Sequence, residues 1–144
     1  MIIAALNDAK RQIANGDVRI LYQEPRDIIV ERDKARIAQV ISNLLNNAVK
    51  FTRKGTIFVL VEENTADNEL EVSVVDSGTG IDPEIEPRLF TKFATKSQTG
   101  TGLGLFISKS IVEAHGGKIS GRNNQEGDGA TFRFTLPIGG IPTS

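Results

Sequence analysis

The chain has 144 residues, of which 39% are hydrophobic and 24% are charged. This size and balance are typical of one soluble globular domain with a single core. The 17 basic residues nearly cancel the 18 acidic ones, which argues against nucleic-acid binding or a polybasic membrane anchor. With no cysteine, disulfides and thiol catalysis are excluded and zinc is disfavoured. No apolar run approaches the roughly 20 residues that span a bilayer, so we expect a cytoplasmic domain without direct membrane contact.

Helical and strand-like patterns alternate in the first third of the chain. Residues 2–14 predict a helix that ends at an Asn-Gly pair. Residues 18–23 and 27–31 predict two short strands with a Glu-Pro turn between them. A long helix follows from about Asp33, its candidate N-cap, to about Phe51, because apolar residues recur there at the spacing of one buried stripe.

The rest of the chain predicts two hairpins separated by a long glycine-rich loop and a helix. The elements are, in order, strands over residues 56–62 and 70–75, a loop over 76–102 with one helical turn near 84–93, a helix over 104–115, and strands over 118–122 and 130–136. A loop of this length inside a compact domain usually has a function. The whole pattern predicts an α+β fold, a two-layer α/β sandwich whose mixed sheet of about six strands carries its helices on one face.

One face of the long predicted helix is polar. Gln39, Asn43, Asn47 and Lys50 follow one another at spacings of four, four and three residues, so they share that face. Asparagine is a poor helix former, which suggests that a function favours it here. Its side-chain oxygen suits magnesium, which takes few protein ligands, and the lysine one turn on is placed to meet a phosphate. The alternative is a solvated polar flank.

The second cluster is Asp76-Ser77-Gly78-Thr79-Gly80, directly after a predicted strand. A carboxylate at a strand end is well placed to accept a hydrogen bond from a ligand amino group, and the glycines let the backbone approach a flat ring. A plain turn that closes the strand would have the same sequence.

The third cluster, Gly100-Thr101-Gly102-Leu103-Gly104-Leu105, opens the last predicted helix. A glycine-rich loop at a helix N-terminus is an anion site, because free N–H groups and the helix dipole point at the ligand. The spacing fits neither a P-loop nor the dinucleotide fingerprint. A flexible hinge is the alternative, but the three clusters together predict one nucleotide site with a metal.

These motifs closely resemble the ATP-binding domain of sensor histidine kinases, in the superfamily that also holds DNA gyrase, Hsp90 and MutL. The resemblance runs from about Asp33 to Pro137. Its parts are the N box at residues 43–52, the first G box at 76–81, the F box at 89–93, the second G box at 100–105 and the closing turn and strand at 127–132. Residues 1–144 are then a single ATP-binding catalytic domain of the Bergerat type.

The resemblance implies a role for each matching residue, with ATP and Mg²⁺ as cofactors. Asn47 coordinates the magnesium ion, Asn43 supports the metal or the phosphates, and Lys50 contacts a phosphate. Asp76 accepts a hydrogen bond from the adenine amino group. The other implied nucleotide contacts are Gly78, Gly80, Ile81, Phe51, Phe90 and Leu105 around the base, and Gly100, Thr101, Gly102, Leu103 and Gly104 around the phosphates.

The resemblance also separates phosphate transfer from hydrolysis. Residues 93–99 resemble the ATP lid, in which Lys96 is directed at the γ-phosphate, although many kinases of the family have an arginine at the position of Thr95. Gyrase-like ATPases carry a water-activating glutamate four residues before the metal-binding asparagine. Here that position is Asn43, and an amide is not a general base near neutral pH.

The family also needs a phosphoacceptor histidine on a separate helical hairpin, from which the phosphate passes to a response regulator. The one histidine here, His115, stands at a helix end before two glycines, where contact with the terminal carbonyls explains it. We therefore expect the phosphoacceptor domain to be absent and the isolated chain to turn over very slowly. Two alternatives remain, a stand-alone serine kinase of the anti-sigma type and a nucleotide-binding pseudokinase module.

Overall fold

The computed structural model describes residues 18–23, 34–52, 54–64, 66, 68–92, 103–125 and 127–137. This part of the chain forms five strands, two α-helices and a short 3-10 helix. In order they are β1 (Val18–Gln23), α1 (Lys34–Phe51), β2 (Gly55–Asn64), β3 (Glu69–Asp76), the 3-10 helix Glu86–Arg88, α2 (Gly104–Ala114), β4 (Ile119–Asn123) and β5 (Ala130–Pro137).

The five strands form one mixed sheet in the order β1-β2-β3-β5-β4. Strand β1 runs parallel to β2, whereas the β2–β3, β3–β5 and β4–β5 pairs are antiparallel. The two predicted hairpins are therefore β2–β3 and β4–β5, and their central partners β3 and β5 bring the two hairpin halves together. The predicted mixed sheet is confirmed.

The core lies between one face of this sheet and the two helices. Alternate sheet residues such as Val59, Val74 and Phe132 lie side by side in the strand register and are buried. The apolar stripe of α1 meets them with side chains that are at most 1% exposed, namely Val40, Ile41, Leu44, Leu45 and Ala48. Helix α2 adds the buried Val112 to the same core. The two-layer arrangement is thus confirmed, and its physical cause is the match between strand alternation and the helical stripe.

Most predicted boundaries agree with the structure to within a few residues. Strand β1 has the predicted bounds, β4 is shifted by one residue, and β2, β3 and β5 are longer than predicted by one or two residues at their ends. The helical turn expected near residues 84–93 is the 3-10 helix Glu86–Arg88. The predicted helix over residues 2–14 and the predicted strand over 27–31 lie outside the described residues. No helix in the described part of the chain has both the length and the apolar character needed to cross a lipid bilayer.

The burial of the α1 stripe predicts how the domain responds to truncation of a leucine side chain. Leu44 has no exposed surface, whereas Leu21 on β1 is 45% exposed. We expect Leu44→Ala to lower the free energy of unfolding by about 2–5 kcal/mol, the range for a leucine removed from a close-packed core. Urea denaturation followed by circular dichroism measures this loss.

The matched control is Leu21→Ala, which removes the same atoms from an exposed strand position. We expect it to cost less than about 1 kcal/mol. Equal losses in the two variants would show that α1 does not form the core against the sheet.

Candidate functional site

The predicted carboxylate, Asp76, lies at the end of β3 and is only 3% exposed. Its Oδ1 accepts two backbone hydrogen bonds, from the N–H of Gly78 at 3.0 Å and from the N–H of Ala130 at 3.2 Å. The second carboxylate oxygen makes no hydrogen bond to the residues that the structure describes. Burial raises the pKa of Asp76, and the two N–H groups oppose that rise. The site therefore presents one fixed carboxylate with one oxygen left for a hydrogen-bond donor.

The loop after Asp76 packs directly on the C-terminal end of α1. The N–H of Thr79 donates to the carbonyl oxygen of Phe51 at 3.1 Å. A Cβ atom at Gly78 would lie 2.1 Å from that same oxygen, which no side chain tolerates. Gly78 is thus required by the close approach of two backbone segments. The predicted approach of these glycines to a flat ring stays a prediction.

The other side of the loop is held by the turn between β4 and β5, which sequence reasoning did not assign to the site. Asn124 donates through Nδ2 to the carbonyl oxygen of Asp76 at 3.0 Å and accepts from the hydroxyl of Thr131 at 2.6 Å. Asn123 forms two hydrogen bonds with the backbone of Ile81. Consecutive asparagines just before a glycine-rich hairpin turn are a recognisable signal for such backbone contacts.

The polar face of α1 leads from this loop toward the start of α2. Asn43 donates through Nδ2 to the carbonyl oxygen of Gly104 at 3.3 Å and to the hydroxyl of Ser108 at 3.2 Å. Ser108 has no exposed surface and was also missed from the sequence. The predicted role of Asn43 toward metal or phosphate stays a prediction, but its amide nitrogen already ties α1 to α2.

Asn47 and Lys50 follow on the same face of α1. Asn47 is half-buried, and its amide has no hydrogen-bonding partner among the residues that the structure describes. Lys50 is exposed, with its Nζ over the ring of Phe51 at 5.3 Å from the centroid. Neither side chain is committed to the protein interior, so both remain predicted ligands of the nucleotide.

Helix α2 begins at Gly104, and its N-cap residue Leu103 supplies no side-chain capping hydrogen bond. The first N–H groups of such a helix lack internal acceptors and favour an anion. The anion site predicted at this helix start stays a prediction, and Asn43 lies beside it through its contact with Gly104. The other residues predicted for this loop, Gly100, Thr101 and Gly102, lie outside the described residues, as do the predicted lid over 93–99 and Lys96.

The residues predicted as apolar walls are partly buried. Ile81, Phe90 and Leu105 pack against the edge of the core, and Phe51 at the end of α1 is also half-buried. Side chains of this kind offer an apolar surface at a core edge while keeping one side accessible. Their contact with a base remains a prediction.

His115, the single histidine, lies at the C-cap of α2. Its Nδ1 lies 2.7 Å from the carbonyl oxygen of Ile111, and its backbone N–H also donates to this helix end. The predicted contact with the terminal carbonyls of the helix is confirmed.

Comparison with known proteins identifies the family of this chain. A model described as "Histidine kinase-, DNA gyrase B-, and HSP90-like ATPase" matches residues 32–140, and the chain belongs to this family. The sensor protein FixL of Bradyrhizobium diazoefficiens is 45% identical over 135 residues, which are 92% of this chain and 26% of FixL. The chain therefore spans about a quarter of the length of that relative.

Solved structures agree with this assignment. The catalytic domain of histidine kinase ThkA, in a nucleotide-free form, superposes with a TM-score of 0.82 at 34% identity, over 95% of this chain and 90% of that one. Full-length ShkA in complex with AMPPNP superposes with a TM-score of 0.76 at 26% identity, over 98% of this chain and 31% of ShkA. The fold is thus the α+β fold of histidine kinase ATP-binding domains.

The donor set fits a magnesium ion that is completed by phosphate and water oxygens. No group of three or more histidine, aspartate or glutamate side chains is gathered for a metal within the described ranges. The amide of Asn47, which has no partner in the described part of the chain, is a single neutral oxygen donor. Mg²⁺ commonly takes one or two protein ligands and fills the remaining positions with phosphate and water.

The burial of Asp76 predicts how its replacement changes stability in the absence of nucleotide. In Asp76→Asn the amide oxygen can still accept the N–H groups of Gly78 and Ala130, and no charge is desolvated. We expect the variant to be at least as stable as the wild type at pH 7. Because the pKa of Asp76 is raised in the folded state, the wild-type carboxyl contributes its full stability below the ordinary pKa of 3.8, where it is protonated in both states. That contribution is lost as the pH rises through the folded-state pKa.

The advantage of Asp76→Asn should therefore be absent below pH 3.8, grow through the raised pKa and then stay constant. Urea denaturation at a series of pH values measures it. Asp128→Asn, at an exposed position of the β4–β5 turn, is the control, and we expect it to change stability little. A less stable Asp76→Asn at pH 7, with a deficit that does not vary with pH, would contradict this account.

Proposed function

We propose that this chain binds Mg·ATP as the catalytic domain of a sensor histidine kinase and donates the γ-phosphate to a histidine on a separate helical hairpin. The observation that carries the proposal is the buried carboxylate of Asp76. One of its oxygens is fixed by two backbone N–H groups, while the other is left for a ligand.

The base end of the proposed site follows from this carboxylate. An ionised Asp76 accepts from the exocyclic amino group of adenine, and hydrogen bonds to a charged acceptor are among the stronger ones. Gly78 and Gly80 let the loop lie flat beside the ring, and Ile81, Phe51, Phe90 and Leu105 supply apolar surface. The neighbourhood thus combines an apolar pocket edge with one convergent polar group, the usual composition of a small-molecule site.

The phosphate end follows from α1 and α2. Helix α2 offers an N-terminus whose N-cap residue forms no side-chain capping hydrogen bond, and Lys50 is exposed on α1. Residues 100–104 with Lys96 complete the predicted phosphate contacts. Asn47 would hold Mg²⁺, which neutralises charge on the phosphates when bound. The complex of ShkA with AMPPNP supports a nucleotide in this fold.

Transfer, not hydrolysis, is the proposed fate of the γ-phosphate. Asn43 occupies the place of a general base but cannot take a proton near neutral pH, and its nitrogen is committed to Gly104 and Ser108. Phosphoryl transfer depends mainly on positioning and charge stabilisation, which this site supplies to an incoming imidazole. We further propose that the acceptor histidine passes the phosphate to a downstream response regulator. The proposed location is the cytoplasm, where ATP is available.

The first test separates base recognition from metal binding by calorimetry with a non-hydrolysable ATP analogue. We expect Asp76→Asn to weaken binding about 10- to 100-fold both with and without magnesium, since a charge-assisted hydrogen bond is lost. We expect Asn47→Ala to weaken binding mainly in the presence of magnesium, because only the metal contact is removed.

The matched control is Asn46→Ala, at the exposed neighbour of Asn47 on α1, which should bind like the wild type. Absence of any heat with wild-type protein at millimolar analogue would refute ATP binding. An Asn47→Ala variant that loses equal affinity with magnesium and with a chelator would refute the metal role.

The second test concerns the transferred phosphate. A fusion of the chain to a histidine-bearing helical hairpin from a sensor kinase should acquire an acid-labile phosphate from labelled ATP. The same fusion with its acceptor histidine changed to glutamine should acquire none. Labelling that is acid-stable on a serine would favour a serine kinase, and ATP binding without any labelling of the fusion would favour a pseudokinase module.

A further inference from the structure

The β4–β5 hairpin contacts the loop after Asp76, residues 77–81, through a side chain that the proposed function does not use. Asn123 is the last residue of β4 and is exposed. Its Oδ1 accepts the N–H of Ile81 at 2.6 Å, and its Nδ2 donates to the carbonyl oxygen of Ile81 at 3.3 Å. Ile81 lies outside the sheet, so one amide side chain replaces both hydrogen bonds that a neighbouring strand would provide.

The two bonds fix the orientation of the amide, because an N–H needs an oxygen and a carbonyl needs a nitrogen. They also fix the adjacent glycine. Gly80 has a φ of +80°, and a Cβ atom there would lie 2.7 Å from Oδ1 of Asn123. The side chain of Asn123 therefore occupies the space beside Gly80 and determines where the Gly80–Ile81 backbone lies.

Residues of the β4–β5 hairpin contact both ends of the loop. Asp76 at the first end is fixed by backbone N–H groups and by Asn124, which donates to its carbonyl oxygen. Ile81 at the second end is fixed by Asn123. Asn124 and Asn123 are neighbours in the β4–β5 hairpin, so the separation between the carboxylate and the apolar side of the proposed base pocket depends on two adjacent amides.

We propose that Asn123 is a positioning residue for the adenine base, which sets the place of Gly80 and Ile81 relative to Asp76 and thereby the selectivity for adenine over guanine. The inference rests on the proposed binding of ATP at this site. Guanine has a carbonyl oxygen where adenine has its 6-amino group, so a guanine placed like adenine turns an acceptor toward the carboxylate. Its own donors, N1–H and the 2-amino group, reach Asp76 only if the base shifts within the pocket. We expect its binding to depend more on the sugar and phosphate contacts proposed for α1 and α2, whereas the hydrogen bonds of Asn123 go to Ile81.

A merely structural Asn123 would behave differently. If its only task were to stabilise the hairpin, its removal would lower the folded fraction and weaken all nucleotides in parallel. The selectivity ratio, Kd for GTP divided by Kd for ATP, does not change with the folded fraction. This ratio therefore distinguishes positioning of the base from general stabilisation.

The experiment measures Kd for Mg·ATP and Mg·GTP by competition against a fluorescent ATP analogue, using the full chain. We expect Asn123→Ala to raise the Kd for ATP about fivefold to tenfold, as the loss of the two hydrogen bonds loosens the pocket. The Kd for GTP should stay within about twofold, so the ratio falls by a similar factor. The control Gln125→Ala removes an exposed amide from the same turn and should leave both constants unchanged.

Asn123→Asp provides a second measurement of the selectivity ratio with a side chain of the same shape. It keeps an acceptor for the N–H of Ile81 but places an oxygen against the carbonyl of Ile81, so it should lower the ratio as well. If Asn123→Ala proves unfolded by circular dichroism, Asn123→Asp decides the question. An unchanged ratio in the folded variants, whether ATP affinity is retained or falls in parallel with GTP, overturns the inference. A wild type that binds no ATP overturns the proposed function itself.

Discussion

The arrangement of the site depends on one interaction, the capture of the Asp76 carboxylate between the ends of β3 and β5. A carboxylate with so little exposure is costly to ionise, and here two backbone N–H groups compensate part of that cost. Ala130 can supply one of them only because β5 is paired with β3 in the observed register. The sheet topology is therefore a requirement of the site, since a shift of one residue would point the carboxylate to the other face.

The capture of the carboxylate also explains the tight backbone packing around it. A Cβ atom at Gly129 would lie 2.0 Å from the carbonyl oxygen of Asp76, and one at Gly78 would lie 2.1 Å from that of Phe51. Thus the β4–β5 turn on one side and α1 on the other approach the loop at distances that only glycine permits. The site is a layered stack of three backbone segments, which leaves little freedom for the carboxylate to move.

How much of this could be predicted from sequence follows from the range of each interaction. The α1 stripe, the β2–β3 hairpin and the start of α2 depend on local hydrophobic periodicity and on turn-forming residues such as glycine. These elements were predicted within a few residues. Asp76, Asn47 and the second G box carry motif signals strong enough to nominate them. Ser108, Asn123 and Asn124 act through contacts between residues 42 to 65 positions apart, and periodicity carries no information about such pairs.

Asn43 shows how a residue predicted for its chemistry can also be required by packing. As an amide it donates to the carbonyl oxygen of Gly104 and to the buried hydroxyl of Ser108, and so joins the two helices of the helical layer where the proposed phosphate site begins. An ionised glutamate at this position only accepts hydrogen bonds, so it would face the Gly104 carbonyl with repulsion. The sequence indicates that this position cannot activate water. The structure adds that the same amide helps to hold the N-terminus of α2, so an amide at this position is compatible with the observed packing of the two helices in a way that an ionised acid is not.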